Sequence, residues 1–77
     1  MTTYLSERIT VDPERCSGRP TIRGTRLQVD TVLGYLAAGD TAADILMAFP
    51  TLEPADIAAC LEFAQHLIAQ QFTRQAA

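Results

Sequence analysis

Three guanidinium groups, Arg19, Arg23 and Arg26, are gathered in the run Cys16-Ser17-Gly18-Arg19-Pro20-Thr21-Ile22-Arg23-Gly24-Thr25-Arg26. They are the side chains of this chain best suited to meeting a partner. A guanidinium is a planar fork of donors that pairs two at a time with phosphate or carboxylate. The glycines and proline around it allow a backbone turn that approaches a partner closely. Two anionic partners fit this chemistry: the phosphates of DNA, or an acidic pocket on a protein. The competing expectation is internal, with the arginines pairing to Asp12, Glu14 or Asp30 and pinning the segment to the rest of the fold.

The other reactive side chains do not assemble into a catalytic pattern. Cys16 and Cys60 are far apart and make no Cys-x-x-Cys spacing. With no signal-peptide pattern at the start, both are expected as reduced thiols in a cytoplasmic protein. Cys60 falls on an apolar helix face, where a thiol fills core; Cys16 lies in a loop with no histidine to activate it. His66, four residues after Glu62, is placed to pair with it along a helix. A zinc site from Cys16, Cys60 and His66 would need three distant positions to converge and would lack a fourth ligand. No Ser/His/Asp set has partners at hand, no glycine-rich phosphate loop occurs, and Asp30, Asp40, Glu53 and Asp56 are each explained by helix starts. The chain reads as a non-enzyme with no catalytic residue, metal, cofactor or small-molecule substrate.

Charge separates the two ends of the chain. Residues 1–26 hold five arginines against Glu7, Asp12 and Glu14, a net +2; the remainder has Arg74 against six carboxylates, a net −5. There is no lysine. With an overall charge of −3, any attraction to an anionic partner must come from the local patch. A chain of 77 residues, 48% of them apolar, suits one folded domain with a marginal core, for which self-association as a homodimer is expected. Its apolar runs are far below the ~20 residues of a membrane span.

The elements that must hold these groups are two short strands and three helices. Arg8-Ile9-Thr10-Val11 alternates as a half-buried strand and Asp12-Pro13 stops it; Thr21-Ile22-Arg23 is a second strand, followed by a sharp turn at Gly24. Asp30 is the expected cap of a first helix carrying Val29, Val32, Leu33 and Leu36 and ending at Gly39. Asp40 or Thr41 caps a second helix with Ile45, Leu46 and Phe49 inward, ended by Pro50. Thr51-Leu52-Glu53-Pro54 opens a third, with Ile57, Cys60, Leu61, Ala64, Leu67 and Ile68 on one face as far as about Phe72. The expected fold is mainly α, a three-helix helix-turn-helix-like bundle with a short N-terminal β arm or hairpin. It is a single domain over 1–77, with β arm and basic loop over 1–28, helical bundle over 29–72 and frayed tail over 73–77. A helix that reads DNA presents basic or amide side chains at its start. The third helix here offers Glu53, Asp56 and Glu62, so the arm with Arg19, Arg23 and Arg26 is the better candidate for DNA contact.

The stretch Ile9-Thr10-Val11-Asp12-Pro13, the run from Cys16 to Val29, and the later Leu33-Gly34-Tyr35-Leu36-Ala37-Ala38-Gly39, Asp44-Ile45-Leu46, Phe49-Pro50-Thr51-Leu52 and Asp56-Ile57 together resemble the bacterial domain-of-unknown-function family 433. The resemblance spans roughly residues 7–68, with Arg19 standing where lysine is common. Its members are similar to homeodomain-like three-helix proteins and are regarded as antitoxin-like, commonly encoded beside a small PIN-like nuclease. The resemblance implies an antitoxin of a type II toxin-antitoxin system that binds and inhibits a PIN-like ribonuclease toxin, with repression of the shared operon as a second role. The alternative is a stand-alone helix-turn-helix-like transcription regulator that binds DNA without a toxin. A PIN-like site is a carboxylate cluster, which an antitoxin can block with a guanidinium or an apolar cover. Phe72 and Arg74, late on the third helix and in the tail, are candidates for that contact.

Overall fold

A computed structural model describes residues 2–72. The tail expected over 73–77 lies outside the described residues. Strands β1 (Thr3–Tyr4), β2 (Ile9–Val11) and β3 (Thr21–Ile22) form an antiparallel sheet in the order β1-β2-β3. β1 is added to the two strands expected from alternation. A two-residue strand is too short to show a period, and it is recruited by pairing Thr3 with Val11 and Tyr4 with Thr10. In the β1–β2 turn, the Leu5 and Ser6 N–H groups donate to the Ile9 carbonyl and the Ser6 hydroxyl accepts the Ile9 N–H. On the other side, Ile9 pairs with Ile22 and Thr10 with Thr21. β2 is more buried than its alternation suggested, since Thr10 is enclosed along with Ile9. Its hydroxyl lies 3.5 Å from that of Thr21, giving each a partner away from water.

Helix α1 (Val29–Ala37) starts earlier than side-chain capping chemistry indicated. Asp30 is not its cap but sits in the first turn, and the cap is Gln28, whose side chain makes no capping bond. The reason is tertiary: Gln28 bridges to Thr21, and the Val29 N–H donates to the Pro20 carbonyl, so the sheet holds the entry residue extended. The helix closes at Gly39, whose φ of +104° lets the Asp40 N–H reach back to the Tyr35 carbonyl. Helix α2 (Ala42–Ala48) begins at Thr41, one of the two caps considered. The Asp44 N–H donates to the Thr41 hydroxyl and the Thr41 N–H to the Asp44 carboxylate, a reciprocal capping box. Helix α3 (Pro54–Phe72) has Pro54 in its first position, where no N–H is missed.

Among the described residues the buried core is eight side chains, Ile9, Ile22, Val29, Val32, Ile45, Leu52, Ile57 and Cys60, contributed by β2, β3, all three helices and the α2–α3 connection. The apolar face expected on α3 is covered only in part. Ile57 and Cys60 are enclosed, but Leu61, Leu67 and Ile68 are 51%, 50% and 58% exposed, and Phe72 at the end is 55% exposed. A helix of 19 residues is about 28 Å long at 1.5 Å per residue, and the small body covers only its first half.

Candidate functional site

The five N-terminal arginines separate into two groups. Arg8, at the start of β2, sends Nη1 to both the Glu53 and the Asp56 carboxylates, each at 2.9 Å. Asp56 is enclosed, and its second oxygen accepts the Glu53 N–H at the start of α3. One carboxylate thus joins the sheet to the first turn of α3, and its two partners raise the Arg8 pKa further above its ordinary value, Glu53 most and then Asp56. Glu53 and Asp56 were assigned to the helix start alone. Asp56 does that and also holds Arg8, a connection across 48 residues that local spacing does not reveal. Arg19 pairs with Asp30 at 2.6 Å, so this member of the candidate patch is held within the chain.

Arg15, Arg23 and Arg26 are exposed, and no ion pair or side-chain hydrogen bond among the described residues engages them. Arg23 and Arg26 flank a turn that is stiffly built. Gly24 takes φ +71°, a conformation costly for a side chain. The Thr25 hydroxyl donates to the Ile22 carbonyl at 2.7 Å and accepts the Leu27 N–H at 3.1 Å. The Ile22 N–H then closes the turn on the Leu27 carbonyl at 3.0 Å. Arg15 stands at the entrance to a left-handed turn in which Cys16, Ser17 and Gly18 have φ of 52°, 56° and 78°. The Cys16 thiol donates to the Arg26 carbonyl at 3.3 Å, tying the two loops together. Cys16 is partly buried by this contact. Arg15 was not singled out from the sequence; only its place in the basic segment could have suggested it.

Of the carboxylates near this surface, Asp30 is paired with Arg19 and Asp12 is held by its own loop. Asp12 accepts the Glu14 N–H and the Thr2 hydroxyl, which hold its carboxyl below the ordinary range in that order. Among the described residues, no three His, Cys, Asp or Glu side chains converge to hold a metal ion. The buried Cys60 thiol is pushed up to about 11 by desolvation first and by the Asp56 charge second, which leaves it a protonated core group. His66 and Glu62 form no ion pair with each other. Phe72 is exposed at the end of α3, and Arg74 lies outside the described residues. No helix among the described residues is long and apolar enough to cross a membrane.

The fold has a solved counterpart, a DUF433 member protein from Anabaena variabilis. It is 27% identical, with a TM-score of 0.78, and the alignment covers 95% of this chain and 72% of that one. No curated protein matches the chain. The model of the family described as protein of unknown function (DUF433) matches residues 9–64, which include Arg15, Arg19, Arg23 and Arg26 together with the whole core, and the chain belongs to that family.

Proposed function

We propose that the protein is an antitoxin of a type II toxin-antitoxin system, a cytoplasmic inhibitor that binds a PIN-like ribonuclease toxin and represses their shared operon by binding its DNA. The observation that carries this reading is the surface of Arg15, Arg23 and Arg26: three exposed guanidinium groups that meet no carboxylate among the described residues, two of them on a stiff turn. The turn fixes the backbone from which Arg23 and Arg26 project, and a guanidinium suits the carboxylate cluster of a metal-dependent nuclease as well as a phosphate backbone. Arg19, already paired to Asp30, acts by orienting the segment. Phe72, with Arg74 beyond it, extends the contact toward the toxin. The test is co-expression with the product of a neighbouring PIN-like gene. Co-elution and rescue of growth are expected, and both should be lost when Arg15, Arg23 and Arg26 are all replaced by alanine. Absence of a complex and of rescue with the unaltered chain rejects the antitoxin role.

The second reading is a stand-alone, homeodomain-like or helix-turn-helix-like transcription regulator. It is suggested by the short connection from α2 to α3, the five residues Phe49 to Glu53, close to the roughly three or four that join such helix pairs. The acidic start of α3 moves the DNA contact to the basic turn even here. Each arginine that engages a phosphate should contribute close to one unit to the salt dependence of binding. The triple replacement should therefore flatten the slope by about three, and an unchanged slope excludes these residues from the DNA interface.

A further inference from the structure

Beside the basic segment lies an apolar groove between α1 and α3, with a volume of about 200 Å³. From α3 come Phe63, Ala64 and Leu67; Pro20, ahead of β3, and Val29 and Leu33 of α1 supply the other side. Arg19 and Asp30 complete the lining and are paired with each other at 2.6 Å, so the groove presents no unpaired charge. The space is smaller than the ~300–1,000 Å³ of a small-molecule site and suits one large apolar side chain. Arg19 also joins the groove to the free arginines. Its N–H donates to the Cys16 carbonyl at 3.1 Å, closing the turn that Arg15 enters, and the Cys16 thiol reaches the Arg26 carbonyl at 3.3 Å.

We propose that the groove and the arginine surface together bind an acidic segment of a partner protein, which seats one large apolar side chain in the groove and sets its carboxylates against Arg15, Arg23 and Arg26. The inference rests on the reading of those arginines as a partner-binding surface and names what a protein partner brings to it. Charge complementarity sets the sign of the segment, since the three arginines meet no carboxylate among the described residues. The groove sets its class. Duplex DNA meets proteins mainly through phosphate and sugar, to which an apolar groove offers nothing. An apolar side chain on a peptide gains by leaving water, and anchors seated in pockets carry much of the binding energy of an interface. The arginines alone suit either partner, and the groove distinguishes the protein.

Selection of random short peptides, displayed on phage, against the immobilised full chain tests this. Enriched peptides should share one large apolar residue flanked by Asp or Glu. The enriched peptide, made synthetically, should bind at least about tenfold more weakly when Ala64→Phe fills the groove, and also when Arg15, Arg23 and Arg26 are all replaced by alanine. Leu61→Gln, at an exposed apolar residue of α3 outside the groove, should leave the affinity within about twofold. Ala64→Phe should not weaken binding to duplex DNA. Circular dichroism establishes that each variant is folded. No enrichment, a shared pattern lacking either the apolar or the acidic residues, or affinity indifferent to Ala64→Phe overturns the proposal. So does weaker duplex binding with Ala64→Phe, which would give the groove to nucleic acid, or a change in sedimentation mass with that variant, which would give it to a second copy. The selection uses no toxin, so it can fail where a toxin complex forms and succeed where none does.

Discussion

The two halves of α3 have similar apolar content and opposite fates. The first half is fixed at three points: Asp56 holds Arg8 and the Glu53 N–H, and Ile57 and Cys60 enter the core. The second half has Leu67 lining only shallow grooves, and Leu61, Ile68 and Phe72 facing solvent. The difference teaches that burial here is rationed by the body rather than by the helix. Full burial ends at Cys60 and Phe63 still packs against the core, so the apolar residues beyond it are left to solvent.

The comparison can be broken most directly by truncating one isoleucine in each half. Ile57→Ala should cost about 3 kcal/mol by urea unfolding, through lost burial and the cavity left behind. Ile68→Ala, measured where the chain is monomeric, should stay within about 0.5 kcal/mol of the unaltered protein. Equal losses would mean that the second half is packed after all. Next in size, Asp56→Ala removes a helix-start acceptor and leaves Arg8 without its enclosed partner, for about 2 kcal/mol. Glu53→Ala, which deletes the exposed side of the same pair, should change stability by less than about 0.5 kcal/mol. Thr41→Ala, at the start of α2, should cost about 1 kcal/mol.

Two titrations sharpen the comparison further. The Asp44 carboxyl is held below its ordinary value of 3.8 by the Thr41 N–H and then by its hydroxyl. Its contribution is therefore present above pH 3.8 and lost as pH falls through the lower folded value. Asp44→Asn should make the acid limb of a stability profile shallower. Cys60 behaves in the opposite sense: its folded pKa of about 11 lies above the ordinary 9.0, so stability is intact below pH 9 and declines as pH rises from 9 to 11. The same burial should leave a thiol that reacts with a disulfide reagent only after unfolding.

Helix ends were readable because their chemistry is local. Thr41 with Asp44, Gly39 and Pro54 each act within a few residues of the boundary they set. Asp30 misled for the same reason: it looks like a cap, yet the sheet holds Gln28 in that place and leaves Asp30 for Arg19. β1 was missed because its pairing with β2, not its own two residues, makes it a strand. The arginine segment was found, but its division into held and free members was not. Arg8 and Arg19 are satisfied by acids 45, 48 and 11 residues away, whereas Arg15, Arg23 and Arg26 meet none among the described residues.

What the sequence by itself determined is the order of β2, β3 and the three helices, most of the helix punctuation, the charge separation and the motif that places the chain in its family. Those depend on short-range chemistry, written within a turn or two of each residue. Only the tertiary structure decided which arginines are spent inside the molecule and how far along α3 the core extends. Both depend on where distant carboxylates and apolar groups come to rest, and periodicity can say that a face exists without saying what covers it.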